Sequence, residues 1–316
     1  MDNFKHLILG SGVLGLGVAA CLEERGIAPT IISRSGRQVG KWRTVACDAR
    51  DAALLAALLD GPTVLYVCAA PAYWQWQDQF PALSEGIATA VSGKTVRLVL
   101  ADNVYGYGQC EDSFAEGSPS QPCSRKGKVR QQVAERLMQL DGQGQVRVAV
   151  VHAATFFGPG VEQSSVGKSV FASALTGKPT YVIGNPETEH AFTFVPDFAA
   201  AMVRVGSDDN AFGQHWHAPS HNGASLRQFL DQIAAHGGQP IKLRTAGPLM
   251  MRMLGLFNPA MRELIEMLYL HNKPWAFSSE LTERTLKITG TPLPTAIART
   301  VQSVMPKVPA GKQQVG

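Results

Sequence analysis

The sequence predicts an α/β protein: a doubly wound parallel sheet followed by a smaller, partly helical C-terminal lobe. Short apolar runs alternate with helical stretches from Leu7 to Val151, the pattern of a sheet buried on both faces. Three glycines, Gly10, Gly12 and Gly15, stand where the first apolar run meets the first helix. Past His152 the alternation gives way to turn-rich and then methionine-rich sequence. The expected division is a nucleotide-binding domain over 1–155, a substrate-covering lobe over 156–305 with some segments returning to the first domain, and a loose tail over 306–316.

Leu7-Ile8-Leu9 reads as a buried strand, Val18 to Arg25 as a helix stopped by Gly26, and Thr30-Ile31-Ile32-Ser33 as a second strand. Within such a unit the spacing Gly10-x-Gly12-x-x-Gly15 has a mechanical meaning. The first glycine permits a tight turn, the second lets backbone approach a pyrophosphate, and the third packs helix on strand. Gly10, Ser11, Gly12, Val13, Leu14 and Gly15 are therefore expected to cradle a dinucleotide against the N–H groups of the helix. A Rossmann-type unit that binds NAD places a carboxylate about 20 residues past its glycines. Here that place holds Ser33-Arg34-Ser35-Gly36-Arg37. Guanidiniums suit a 2′-phosphate, which a carboxylate would repel, so Ser33, Arg34 and Arg37 favour NADP over NAD.

The alternation continues. Thr44 to Asp48 reads as a third strand and Asp51 to Leu59 as a helix; Asp48 could accept from an adenine amino group or cap that helix. Thr63 to Ala70 is a fourth strand, whose small end residues Cys68, Ala69 and Ala70 would let a ribose lie close. Trp74-Gln75-Trp76 falls in a loop or early helix. Val96 to Leu100 is a fifth strand leading into Ala101 to Gly108, Arg130 to Leu140 a helix, and Val146 to Val151 a sixth strand. Thr180 to Gly184 and Phe192 to Val195 read as strands, Phe198 to Val205 as a helix capped by Asp197, and Leu226 to His236 as an amphipathic helix. Met250 to Leu256 and Met261 to Leu270 form an apolar pair around Pro259 that could cover a substrate or simply pack a core.

Composition narrows the class. A chain of 316 residues with 45% hydrophobic content builds a large core. A net charge of +4, with basic residues scattered, gives no nucleic-acid footprint. No apolar stretch is long enough to span a bilayer. The N-terminus runs straight into the first strand and leaves no room for a signal peptide. Five cysteines without metal spacing read as reduced thiols in a cytoplasmic protein. His215-Trp216-His217 sets two imidazoles on one strand face but offers no third ligand, so no metal is expected.

Distributed along the chain, Gly10-x-Gly12-x-x-Gly15, Asp48, Val104-Tyr105-Gly106, Phe157-Gly158-Pro159-Gly160, Phe192 to Asp197 and Thr291 to Ile297 resemble the extended short-chain dehydrogenase/reductase superfamily. The resemblance is to its NAD-dependent epimerase/dehydratase-like branch. It implies a cofactor domain with a C-terminal substrate lobe, and many relatives dimerise through helices of that domain. It also implies a Ser/Tyr/Lys triad, and here the chain departs. Ala101 stands at the serine position; registering on Glu135 puts Gly127 at the tyrosine and Gln131 at the lysine. Tyr105 and Asp102 are the candidates for proton transfer in its place, and Lys128 or Arg130 for holding the nicotinamide ribose. His152 is a further acid or base near the crevice.

The expected function is an NADP-dependent oxidoreductase or epimerase-like enzyme on a small, fairly apolar carbonyl or hydroxyl compound. A catalytically silent NADP-binding sensor or partner-binding protein is the rival, and a double-bond reductase a third reading.

Overall fold

The computed structural model describes residues 4–109, 113–246 and 263–305. Its centre is a seven-stranded sheet whose paired strands all run parallel. The first five strands are β1 (Lys5–Leu9), β2 (Thr30–Ser33), β3 (Arg43–Ala46), β4 (Thr63–Val67) and β5 (Val96–Asn103). They are joined by Val146–Ala153 and His215–His217, and the spatial order is His215–His217, Val146–Ala153, β5, β4, β1, β2, β3. The order reverses between β1 and β4, and in open α/β sheets ligands lie beyond the strand ends at such a switch point.

Because side chains alternate along a strand, each strand feeds two cores. Leu7, Leu9, Ile32, Leu65, Val67, Leu98 and Leu100 pack beneath α2 (Ala52–Leu58), α3 (Trp76–Val91) and α4 (Arg125–Met138). Ile8, Ile31, Val64, Tyr66 and Val99 face the other way, under α1 (Val13–Glu24) and α6 (Val195–Gly206). Thus α6 and the strand His215–His217 lie against the first-domain sheet although they follow it in sequence. The lobe has its own core, in which α5 (Lys168–Leu175), α7 (Leu226–Gly237) and the last helix, Leu293–Val304, enclose Phe157, Phe171, Phe192, Phe194 and Phe229. Asp197 ties these parts together, accepting hydrogen bonds from the Thr291 N–H and Oγ1, both at 2.7 Å.

Several local readings change. Asp51, not Asp48, caps α2, accepting from the Leu54 N–H at 3.1 Å. Asp197 lies inside the first turn of α6, with Phe194 at its N-cap, so its carboxylate is free to hold Thr291. Helix α4 begins at Arg125 rather than Arg130, capped by the Ser124 hydroxyl on the Gly127 N–H. Trp74 and Trp76 part company. Trp76 opens the 16-residue α3 and is buried, while Trp74 is 56% exposed. The lobe also has strands at Thr155–Phe157 and Ser220–Ser225 that alternation did not reveal. The segment Met250–Leu256 lies outside the described residues, whereas Met267 and Leu270 are buried.

Candidate active site

The glycine loop has the geometry that its spacing demands. Gly10 turns at φ +115°, and a Cβ there would lie 2.7 Å from the Ala69 nitrogen. The loop after β1 is therefore pressed against the Cys68–Ala70 segment after β4. A Cβ on Gly15 would lie 2.0 Å from the Gly10 carbonyl oxygen, so helix and strand touch there. Gly12 alone faces open space. It is the N-cap of α1 and has no side chain to satisfy the first-turn N–H groups around Val13 and Leu14. Bare backbone donors, open space and the positive end of a helix make a fitting cradle for a pyrophosphate. Burial pushes the Cys68 thiol up, so this wall of the crevice is neutral.

At the end of β2 the Ser33 hydroxyl is buried with no hydrogen-bond partner among the described residues. An orphaned buried polar group is costly enough to call for a partner. Arg34 and Arg37 follow, both exposed. Asp48 receives the Arg50 guanidinium on both carboxylate oxygens. Those bonds hold its carboxyl below the usual range, and Arg34 adds its field. This edge thus presents an unmet hydroxyl and two exposed guanidiniums beside a paired carboxylate.

The corner where the family resemblance implies a triad is tightly packed. Gly127 packs so closely under the Val104–Tyr107 turn that a Cβ would lie 2.4 Å from the Tyr105 carbonyl oxygen. No larger side chain fits there unless α4 withdraws. Asp102 is 7% exposed; its Oδ1 accepts from Arg130 Nε at 2.6 Å and from the Asn103 N–H at 2.7 Å. Arg130 also donates to the Ala101 carbonyl at 2.8 Å. The expected proton-transfer carboxylate is thus one half of a buried ion pair. Tyr105 is half-buried beside the Trp76 ring, and burial raises its pKa. Lys128 is exposed one residue past Gly127, with no carboxylate on it among the described residues.

The histidines at the strand ends form a buried network. His152 Nδ1 donates to the Asn103 carbonyl at 3.1 Å, leaving Nε2 to accept from His215 Nδ1 at 2.9 Å. His217 Nδ1 donates to the Ser278 carbonyl at 2.6 Å, so its Nε2 accepts from the Tyr107 hydroxyl at 2.8 Å. Burial lowers the pKa of all three, that of His152 to about 4. Among the described residues no group of histidine, cysteine or carboxylate side chains is arranged to hold a metal ion.

Sequence reading missed the residues at the head of α4. Lys126 is buried, donating to the Tyr73 carbonyl at 2.7 Å and pairing with Glu263 at 2.9 Å. Arg130, a candidate for the nicotinamide ribose, is instead committed to Asp102 and the Ala101 carbonyl. A signal existed, because Lys126 and Arg130 share the apolar face with Val129, Val133 and Leu137. Cations on such a face need buried partners.

These features define a nucleotide-binding α/β domain of the dehydrogenase type with an altered catalytic corner. The sequence matches the NAD dependent epimerase/dehydratase family over residues 6–217, and the chain belongs to that family. A search of curated proteins by sequence returned no match. The fold is similar to MoeE5 in complex with UDP-glucose and NAD, at 17% identity and TM-score 0.77, covering 95% of this chain and 98% of that one. It is similar to UDP-glucuronic acid 4-epimerase from Bacillus cereus, with UDP-glucuronic acid and NAD, at 14% identity and TM-score 0.76, covering 95% and 99%. UDP-N-acetylglucosamine 4-epimerase from Bacillus cereus aligns at 14% identity and TM-score 0.73, covering 96% of each chain. The chain is thus an NAD(P)-dependent, epimerase/dehydratase-like member of the extended short-chain dehydrogenase/reductase group. No helix among the described residues is long and apolar enough to cross a membrane.

Proposed function

We propose that the protein is an NADP-dependent oxidoreductase or epimerase-like enzyme acting on a small, fairly apolar carbonyl or hydroxyl compound. The observation that carries this reading is the turn after β2. An unpartnered Ser33 hydroxyl and the exposed Arg34 and Arg37 stand where an NAD-binding unit would keep a carboxylate. The similar structures hold NAD, but a site built for the free 2′-hydroxyl has no use for two guanidiniums. In this reading Gly10 to Gly15 and Cys68 to Ala70 hold the pyrophosphate and ribose, and the exposed Lys128 is the cation we assign to the nicotinamide ribose. The bound nicotinamide would supply or accept the hydride.

On the substrate side, Val104, Tyr107, Phe114, Trp275 and Phe277 form an apolar seam between the domain and the lobe. MoeE5 and the 4-epimerase hold UDP-sugars. Here the basic residues heading α4, Arg125 and Lys126, are paired with Glu263 and Glu266, which favours a less anionic ligand. Tyr105 is the phenol we assign to proton transfer. Its raised pKa keeps it protonated, the state of an acid. Asp102, occupied by Arg130, positions the turn that carries Tyr105. The free thiols Cys21, Cys47, Cys68 and Cys123 fit work in the reducing cytoplasm.

A catalytically silent NADP-binding protein is the second reading, favoured by the close packing of Gly127 against Tyr105. The test follows NADPH absorbance with a panel of aryl ketones for the wild type and Tyr105→Phe. Consumption that falls about 100-fold or more in the variant, with NADPH affinity kept, supports the assignment. Equal rates remove Tyr105 from the chemistry, and tight NADPH binding without consumption supports the silent reading.

A further inference from the structure

The connection from β2 to β3 is short for neighbours that run parallel. Parallel strands are normally joined by a crossover of about a dozen or more residues that carries a helix. Here the nine residues 34–42 return the chain across the sheet without one. So short a span leaves little slack, and it is fastened at several points. The Ser33 carbonyl accepts from the Gly36 N–H at 3.3 Å and from the Cys47 N–H at 2.9 Å, which pins the turn to the end of β3. Gly36 takes φ +60° and packs so closely there that a Cβ would lie 2.7 Å from that of Ala46. Ser35 Oγ accepts from the Arg37 N–H at 3.2 Å. Gln38 Nε2 donates to the Trp42 carbonyl at 2.7 Å and to the Gly40 carbonyl at 3.2 Å. Val39 and Trp42 pack against the core that holds Val18, Leu22 and Ile31. On this fastened backbone Arg34 and Arg37 are exposed and make no ion pair with a described residue. The nearby cations Lys41 and Arg50 are instead committed to Glu23 and Asp48.

Long cationic side chains lose freedom when they grip a phosphate, and a backbone ordered in advance lowers that cost. We propose that Gln38 and Trp42 are positioning residues for nucleotide selection: they hold the helix-free crossover in the shape that presents Arg34 and Arg37 to a 2′-phosphate, without touching the nucleotide themselves. Gln38 acts by bridging two carbonyls on the second half of the crossover. Trp42 acts by anchoring its end in the core. The ring does this and the indole N–H takes no part, being buried with no hydrogen-bond partner among the described residues. The same ring closes against Gly40, which takes φ +56° and whose Cβ would lie 3.0 Å from it. The inference rests on the NADP reading above and adds the residues through which its two arginines are held.

NADPH and NADH are titrated calorimetrically into the wild type, Gln38→Met, Trp42→Phe, Trp42→Ala and Arg34→Ala. Methionine keeps the length of Gln38 and removes its donors. Gln38→Met is expected to weaken NADPH about fivefold, equivalent to about 1 kcal/mol, while NADH stays within about twofold. Trp42→Phe keeps a ring and should keep the wild-type preference, whereas Trp42→Ala should lose most of it. In an Arg34→Ala/Arg37→Ala background, Gln38→Met should weaken NADPH no further, because it acts only through those arginines. A merely structural Gln38 would weaken both nucleotides alike. That result, unchanged selectivity in Gln38→Met or Trp42→Ala, or a further loss in the arginine-free background overturns the inference. A wild type with no preference for NADPH refutes the cofactor reading and this inference with it. A preference that Arg34→Ala removes and Gln38→Met leaves intact refutes this inference alone.

Discussion

Replacing Arg130 with methionine isolates the buried pair that turns Asp102 from a candidate acid into part of the scaffold. The two side chains are 5% and 3% exposed and meet at 2.6 Å. The guanidinium also lies over the Phe80 ring, 4.6 Å from its centroid. Methionine keeps much of the stem's packing but strands a carboxylate whose remaining bond is the Asn103 N–H. An uncompensated buried charge of this kind costs about 3–5 kcal/mol, and the lost ring contact adds about 1 kcal/mol. The double variant Asp102→Asn/Arg130→Met removes the charge together with its partner and is expected to cost about 1–3 kcal/mol, less than Arg130→Met alone. Urea unfolding followed by circular dichroism at pH 7 gives both values, provided that the slope m stays constant. A cost below about 1 kcal/mol for Arg130→Met, or a double variant as damaged as the single one, would refute the buried-pair assignment.

Acid should loosen the histidine network. His152 titrates near 4 in the fold against an unfolded value of about 6.5. Its folded value is depressed, so the unfolded chain binds the proton first. Stability is therefore full above about pH 6.5 and lost as the pH falls toward 4, by an order of about 3 kcal/mol for this group. Urea midpoints at pH 7, 6 and 5 measure the slope, which His152→Gln should flatten; an unchanged slope contradicts the assignment. Gly127→Ala should destabilise the protein by at least about 2 kcal/mol, because its Cβ meets backbone rather than a movable side chain. Gly12→Ala, at φ −77° and facing open space, should fold normally yet lose nucleotide affinity. Paired thermal melts and nucleotide titrations separate these two outcomes.

The sheet was legible because its strands are short, apolar and flanked by helices, and because each glycine of the loop answers a separate steric demand. Helix α3 was obscured by the aromatic cluster Trp74-Gln75-Trp76 and by Pro81 within the helix. The beginning of α4 was hidden by Gly127, a poor helix former that tertiary packing holds in place. Ser220–Ser225 is polar enough to resemble a loop, and its strand exists because Glu189–Phe194 offers it an edge. The site divides in the same way. Its nucleotide half follows from one contiguous motif. The Asp102–Arg130 pair and the contacts of Lys126 with Tyr73 and Glu263 join residues far apart in sequence, and composition alone does not say which of many tyrosines or carboxylates will meet.

The most direct measurement of the cofactor assignment is the ratio of NADPH to NADH dissociation constants in the wild type and in Arg34→Ala. A charged contact to the 2′-phosphate contributes about 1.5–3 kcal/mol. The wild type should thus prefer NADPH by at least about tenfold, and the variant should lose most of that preference with NADH affinity unchanged. Equal binding of the two nucleotides by the wild type, or a preference untouched by Arg34→Ala, would contradict the assignment of the turn after β2 to a 2′-phosphate.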